Sequence, residues 1–548
     1  MVPFLVLQLA FLVVCLIIYR LINSALERID HKTAAEENGC LEAVDVTGSF
    51  PWGFRRLWRI LRIKKTGDDI LDDIIFSDFE KAWTVTFMAF DGNAMYLTAD
   101  PANLQAMLAT QFQDFETGKR RYDVFKPLIG RSIFSTDGAF WEHSRAMFRP
   151  QFARENINDL EVTDKASSAL ITALGPTNDS GWTSGGELMP LLYNFTLDTA
   201  VCTIYNAWPT EELLLTKVQT DFLFGHSVDS QELMMAAESS AGAQLSPEVE
   251  AQRKEAQAFT EAFTTVQAGL ITRIRMQSLY WLGDGIKFRR AITTIRRFTA
   301  PIVQQAIDNA TSSAKRDEKK QSLMTNLATQ TQDRTELRDQ TLAILVAGRD
   351  TTSSMLGWAL ERLAIHDDVF SKLRSTVLQE FPPGEEITFS KLKGCRYLQH
   401  FLMEVLRLHP TVPVNQRMAV KDTTLPVGGG PDHQSPIAIR KGTIILFTVY
   451  IMHRRKDLWG PDALEFRPER WSEGKIPAWQ YLPFLGGPRI CLGQQFALTE
   501  AGYLLVRLLQ EFEAIEPMDR AEMQKLKKGL GVTMWPGDGT NVRFRKAS

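Results

Sequence analysis

The chain has 548 residues, 44% of them hydrophobic and 23% charged, with a formal net charge of -3 and a pI near 6.3. This is a globular composition without a polybasic signature, which argues against a nucleic-acid partner. Five cysteines, at positions 15, 40, 202, 395 and 491, are odd in number and contain no Cys-x-x-Cys pair. They suit a reducing compartment and fit neither a disulfide framework nor a zinc site. No Pro/Gly/Ser-rich linker cuts the chain after about residue 67, so residues 67–548 read as one large domain.

In chain order, the first predicted element is apolar. Pro3 to Tyr19 contains only Gln8 as a strongly polar residue, and through Leu21 and Ile22 the run reaches the roughly 20 residues that cross a bilayer. Residues 1–22 are therefore expected to be a transmembrane anchor. A cleaved signal peptide is the competing reading, which would want a basic stretch before the run and a small-residue cleavage site after it. Arg20, Arg28 and Lys32 follow the span and no Lys or Arg precedes it. The positive-inside rule then leaves the bulk of the protein in the cytosol, where the sequons at Asn178, Asn194 and Asn309 stay unmodified. Residues 23–66 form a membrane-proximal linker. Within it, Phe50 to Lys65 interleaves aromatic and aliphatic residues with six basic ones, as an amphipathic segment lying on a membrane or as a solvated basic linker.

Trp141 and Arg145 lie one helical turn apart, so an indole N–H and a guanidinium can point at one carboxylate; alternatively they are a surface Arg packed on a core Trp. His143 falls on the opposite face, as a structural histidine. From about Asp339 to His366 a proline-free run reads as a long buried helix. Gly348, Asp350, Thr351 and Thr352 are out of place in it, because Gly costs roughly 1 kcal/mol against Ala and Thr hydroxyls compete for the i−4 carbonyl and bend the rod. In the resulting groove Asp350 and Thr351 form an acid-alcohol pair able to relay protons, with Gly348 leaving room for dioxygen. The bland alternative is a kink beside a solvated polar cluster.

Glu404 and Arg407 stand at i, i+3 on a further helix, ahead of Leu408-His409-Pro410. Arg470, in Phe466-Arg-Pro-Glu-Arg-Trp471, is a candidate third member of a buried ion-pair cluster. The chain then reaches Phe484-Leu-Gly-Gly-Pro-Arg-Ile-Cys-Leu-Gly493. Apolar residues at Ala497, Ala501, Leu504, Leu505 and Leu508 keep helical spacing, so Cys491 sits ahead of a helix N-terminus whose dipole is expected to depress the thiol pKa. Gly486, Gly487 and Gly493 are expected to supply positive φ angles and close approach to a flat macrocycle. Such a thiolate is an axial ligand for haem iron and favours O–O cleavage, while Arg489 meets a haem carboxylate. A buried structural cysteine in a Gly-Pro turn is the alternative for an isolated Cys.

With these residues in this order, the chain from about residue 67 onward resembles the cytochrome P-450 family of haem-thiolate monooxygenases. The resemblance implies a mainly helical fold with small β-sheets, one containing a hairpin from Ile437 to Phe447. It implies haem b with Cys491 as axial ligand, cofactor contacts from Phe484 and Gly493, and propionate contacts from Trp141, Arg145, Arg417 and Arg489. It further implies proton delivery by Asp350 and Thr351, and a structural triad of Glu404, Arg407 and Arg470.

His143 to Phe152, Val346 to Thr352, Thr424 to Asp432 and Pro488 to Glu500 are similar to the fungal microsomal hydroxylases of n-alkanes and fatty acids. Two departures stand out: Val427 replaces the usual Arg before the triple glycine, and Leu485-Gly486 replaces Asn-Ala. Ala347 stands where the animal fatty-acid hydroxylases often carry a haem-esterifying Glu, so the haem is expected to be held non-covalently. The stretch after Cys491 is too short for a flavin domain and no dinucleotide fingerprint follows a strand. Electrons are expected from a separate NADPH-dependent flavoprotein reductase in the endoplasmic reticulum membrane. The expected substrate is a small apolar molecule hydroxylated with O2, an alkane or fatty acid near its chain end. The alternatives are a fungal polyketide or terpenoid, and a haem isomerase or dehydratase, against which the acid-alcohol pair speaks.

Overall fold

The computed structural model describes residues 35–47, 69–89, 93–152, 160–205, 247–311 and 323–547, with Tyr19 and Trp58. The expected anchor and nearly all of the Phe50–Lys65 segment lie outside them. Among the described residues no helix is long and apolar enough to cross a membrane. The chain groups into two compact units, Met1–Glu116 with Asn415–Thr448, and Thr117–Val414 with Val449–Ser548.

The first unit is built on β-structure. Strands β1 (Val44–Asp45), β2 (Thr84–Met88), β3 (Ala94–Thr98), β4 (Phe115–Glu116), β5 (Val414–Ala419), β6 (Thr423–Gly429), β7 (Ser435–Ile439) and β8 (Ile444–Thr448) make a six-stranded sheet in the order β1-β2-β3-β8-β5-β4 and a separate β6-β7 pair. β2 and β3 pair antiparallel with Val85 opposite Leu97, and β3 pairs parallel with β8, placing Leu97 opposite Leu446. Val85, Leu97, Ile445 and Phe447 are buried in this sheet, as β-branched and aromatic side chains on a pleated, half-buried surface should be. The expected hairpin from Ile437 to Phe447 does not form. After β7 the chain turns through Gly442 at φ 83°, where the Gly442 N–H donates to the Ala419 carbonyl and the Ala419 N–H to that of Thr443. This ties the turn to β5 and sends β8 into the larger sheet.

The triple glycine has a steric cause. The segment after the expected anchor lies on the β6-β7 pair, with the Leu41 N–H donating to the Pro436 carbonyl at 2.9 Å and the Gly430 N–H to that of Glu42 at 3.1 Å. A Cβ on Gly429 would stand 2.5 Å from the Leu41 carbonyl oxygen and 2.8 Å from that of Pro436. Gly428 and Gly430 have φ of 116° and 77°, which side-chain-bearing residues rarely adopt. Beside them, Val427 exchanges both of its backbone hydrogen bonds with the Asn103 amide, at 2.9 and 3.1 Å. The Arg-to-Val departure therefore changes a side chain and not the backbone path. Gly429→Ala is expected to release residues 39–47 to limited proteolysis and to destabilise by about 1–3 kcal/mol through overpacking. Gly394→Ala, with nothing within 4 Å of the added carbon, is the control in the same digestion and thermal assay.

The second unit is mainly helical. Its longer helices are α1 (Lys119–Ile129), α2 (Gly138–Phe148), α3 (Glu161–Ala173), α4 (Met189–Tyr205), α5 (Pro247–Arg275), α6 (Ile286–Thr311), α7 (Leu323–Gln330), α8 (Arg334–Ile365), α9 (Asp367–Glu380), α10 (Arg396–Leu408) and α11 (Gln494–Glu511). The expected helix over 339–366 appears as α8. It starts earlier because the Asp333 carboxylate caps it, accepting the Thr335 N–H at 2.7 Å. Leu342, Ala343, Leu345, Ser353, Leu356, Trp358 and Ala359 are all buried, which is the signature of a helix surrounded by protein rather than one with a solvent face. A three-stranded sheet of Gly186–Glu187, Phe512–Pro517 and Asn541–Lys546, and a pair of Lys528–Leu530 with Met534–Pro536, complete this unit.

Candidate active site

The site is assembled from the loop before α11 and the face of α2. In the loop, the Cys491 N–H donates to the Phe484 carbonyl at 3.0 Å and the Ile490 N–H to that of Gly487 at 3.1 Å, so the cysteine is pinned through backbone and its sulfur is left for another partner. Gly493 is the N-cap of α11, and its backbone N–H favours the anionic form of the Cys491 sulfur. The thiol pKa nevertheless lies above its ordinary value: burial pushes it up, against the Gly493 N–H and the charge of Arg145. The expectation that a helix N-terminus would depress it is corrected here, because desolvation of the anion outweighs one dipole.

The glycines also behave differently from expectation. Gly487 takes φ 69°, but Gly486 (φ -148°) and Gly493 (φ -83°) do not, and the second left-handed residue is Leu485 at φ 60°. A left-handed leucine costs about 1–2 kcal/mol. An Asn, the residue expected here from the sequence resemblance, takes that conformation more readily. Gly486 has a packing role instead, since a Cβ there would lie 3.0 Å from the Trp479 ring.

Trp141 and Arg145 fall on one face of α2 as the spacing predicts. The Arg145 guanidinium lies 5.9 Å from the Trp141 ring centre and donates to the Ile490 carbonyl at 3.1 Å. Arg489 stacks on the other side of the cluster, 4.2 Å from the same ring, and is paired at 2.5 Å with Asp137. Asp137 is a residue that sequence reasoning missed; it also accepts from the Thr117 and Gly118 N–H groups, at 2.9 and 3.0 Å. Arg121 was missed too: its buried guanidinium donates to the Phe134 carbonyl at 2.8 Å and feels the Asp137 charge. His143 is on the opposite face, 3.2 Å from Glu336, as a surface partner. Arg417 belongs to the first unit, buried on β5, with its guanidinium 5.7 Å from the Phe447 ring.

On α8, Thr351 donates its hydroxyl proton to the Ala347 carbonyl at 2.7 Å, the i−4 bond expected of it, while the helix stays continuous. Asp350 is turned away from it. Its carboxylate accepts from the Gln267 amide on α5 and lies 3.2 Å from Arg349.

Behind the cysteine loop, Glu404 and Arg407 form a fully buried bidentate pair with both contacts at 2.8 Å. Arg470 reaches Glu404 only at 3.5 Å, and its nearer carboxylate is Asp462, at 2.9 and 3.1 Å. Charge balance could have revealed Asp462, since two buried arginines and one glutamate leave a cation unanswered. Arg470 holds the Asp462 carboxyl down at about 2. His453 joins this cluster to the cysteine loop: its Nδ1 lies 3.2 Å from the Arg407 carbonyl and its Nε2 accepts the Leu482 N–H at 3.0 Å. Burial and Arg407 push its pKa down to about 3, so the ring is neutral with the proton on Nδ1.

A family match spans most of this architecture: the Cytochrome P450 family covers residues 51–540. The chain belongs to the cytochrome P450 family. It is 40% identical to cytochrome P450 monooxygenase g430 of a Fusarium species, over 92% of this chain and 85% of that protein. It is 39% identical to cytochrome P450 monooxygenase alt2 of Alternaria solani, over 92% of each, and 42% identical to cytochrome P450 52A5 of Candida maltosa, over 82% and 80%. The protein is thus a P450 monooxygenase, and the cofactor of this family is haem b with a cysteine thiolate to the iron. The residues present fit that group. The Cys491 sulfur takes no part in closing its loop, and three guanidinium groups, those of Arg121, Arg145 and Arg489, gather beside that loop and Asp137, a cationic donor set suited to the carboxylates of the macrocycle.

Proposed function

We propose that the chain is a membrane-anchored monooxygenase that hydroxylates a long apolar molecule, an alkane or fatty acid at or near its chain end, with electrons from a separate NADPH-dependent flavoprotein reductase. When bound, the haem supplies activation of dioxygen. Cys491 holds its iron, and the Gly493 N–H steadies the sulfur charge. Arg145 and Arg489, backed by Trp141, orient the carboxylates. Phe484 packs beside the ring. Thr351 and Asp350 manage the protons that oxygen reduction consumes.

The observation that carries the substrate reading is the connection between α5 and α6. Leu279, Trp281, Leu282 and Ile286 are exposed there, Trp281 at 56% and Ile286 at 71%, beside the basic Lys287, Arg289 and Arg290. An aromatic and aliphatic tip with a basic rim is what an anionic bilayer surface attracts. Apolar chains gain about 0.8 kcal/mol per CH2 in that bilayer, so a site served from it meets them concentrated. The resemblance of Val346 to Thr352 and of Pro488 to Glu500 to fungal alkane and fatty-acid hydroxylases supports the same reading. The departures at Val427 and Leu485 loosen the lipid reading, beside which oxidation of a polyketide or terpenoid is the alternative. Titration of the purified protein with fatty acids and alkanes of increasing length, following the low- to high-spin shift, is expected to show affinity rising with chain length. No shift at any length, with turnover of a cyclic metabolite, overturns the lipid reading.

A further inference from the structure

We propose that Gln267 is a positioning residue for the Asp350 carboxylate, so that the seating of α5 against α8 controls proton delivery. This rests on the reading of Asp350 and Thr351 as the proton-handling pair. Successive residues on an α-helix point about 100° apart, and here the two side chains serve different neighbours. Thr351 faces the Ala347 carbonyl. Asp350 is buried and held from two sides, by the Gln267 amide on α5 and by Arg349 on its own helix.

Arg349, the holder on α8, is itself braced by two other helices. The Arg349 guanidinium lies 4.6 Å from the Tyr193 ring on α4 and 5.5 Å from the Phe263 ring on α5. Phe263 stands one turn before Gln267, so α5 touches both the arginine and the acid. The Thr196 hydroxyl of α4 adds a 2.9 Å bond to the Arg349 carbonyl, which fixes the backbone from which the pair projects. Burial favours a neutral Asp350, whereas Arg349 and the Gln267 N–H favour the carboxylate. Gln267 is the one of these two donors that does not belong to α8. It is therefore the contact that changes when α5 moves, and α5 ends in the exposed apolar connection assigned above to the bilayer.

The protons at stake are countable. Reduction of O2 to hydrogen peroxide consumes one NADPH and one proton, and reduction to two waters consumes two NADPH and two protons, so the fraction of oxygen leaving as peroxide reads proton delivery without any organic substrate. The test uses the full-length haem protein with an NADPH-dependent flavoprotein reductase, comparing Gln267→Leu, Asp350→Asn, the double variant and the parent. Carbon-monoxide spectra report an intact thiolate site in each.

A hydrogen bond to a charged group biases an equilibrium by roughly tenfold or more. Gln267→Leu is accordingly expected to change the peroxide-to-water ratio by about that factor and to change the solvent isotope effect on NADPH consumption. The double variant is expected to match Asp350→Asn alone, since the two act through one carboxylate. Gln267→Leu at the parent ratio, or effects that add in the double variant, overturns the positioning role. Asp350→Asn at the parent ratio overturns instead the proton-handling reading on which it rests.

Discussion

Cys491→Ala and Cys491→His are both expected to abolish oxygenase activity while leaving a folded chain. The loop around the cysteine is closed by backbone bonds, from the Cys491 N–H to Phe484 and from the Ile490 N–H to Gly487, and none of them uses the sulfur. Removing it therefore costs the fold little. The chemistry is another matter, because alanine offers no donor and histidine offers a neutral nitrogen in place of an anionic sulfur. The thiol is raised by burial in the protein alone, and a coordinating metal deprotonates a thiol outright. The anion at this position is thus completed when the iron binds. The measurement is the reduced, carbon-monoxide-bound spectrum of each variant, with product formation beside it. A thiolate-type red-shifted band retained in Cys491→Ala would falsify the assignment.

The parts of this site legible in sequence are those whose partners are near in the chain. Trp141 with Arg145 and Glu404 with Arg407 are one helical turn apart, and α8 was visible because a long run without proline is largely apolar. The parts that were not legible join residues far apart in sequence: Arg489 finds Asp137, Arg470 finds Asp462, His453 finds Leu482 and Asp350 finds Gln267. No local periodicity encodes such pairs, although charge balance could have pointed toward Asp462. The thiol pKa failed for a different reason, since the helix dipole can be read from spacing while the desolvation opposing it needs the packed surroundings. Strand pairing failed as it commonly does, because two adjacent β-segments with a glycine turn look like a hairpin until their neighbours are known.

Loss of either member of the Glu404–Arg407 pair is expected to be the most destabilising single change in the second unit. Both side chains are fully buried, and breaking a buried pair leaves an uncompensated charge at a cost of about 3–5 kcal/mol, a large share of the roughly 5–15 kcal/mol that holds a typical fold. Replacing a whole buried pair by apolar residues is often harmless, but that escape is closed here. Arg407 also donates to the carbonyls of His453, Ala463 and Glu465, at 2.8, 2.6 and 2.9 Å, and each buried carbonyl left unpaired costs about 1–3 kcal/mol. Glu404 likewise accepts from the Arg467 N–H and the Trp471 indole, at 2.9 and 3.1 Å. Glu404→Gln is expected to lower the yield of haem-loaded protein and to speed thermal inactivation by at least about a hundredfold, at roughly tenfold per 1.4 kcal/mol. Arg407→Leu should be at least as severe. The double variant Glu404→Leu with Arg407→Leu should not recover, and inactivation half-lives near the parent in that double variant would show that the single variants suffer only from an uncompensated charge, and not from the loss of the web of carbonyls around Arg407.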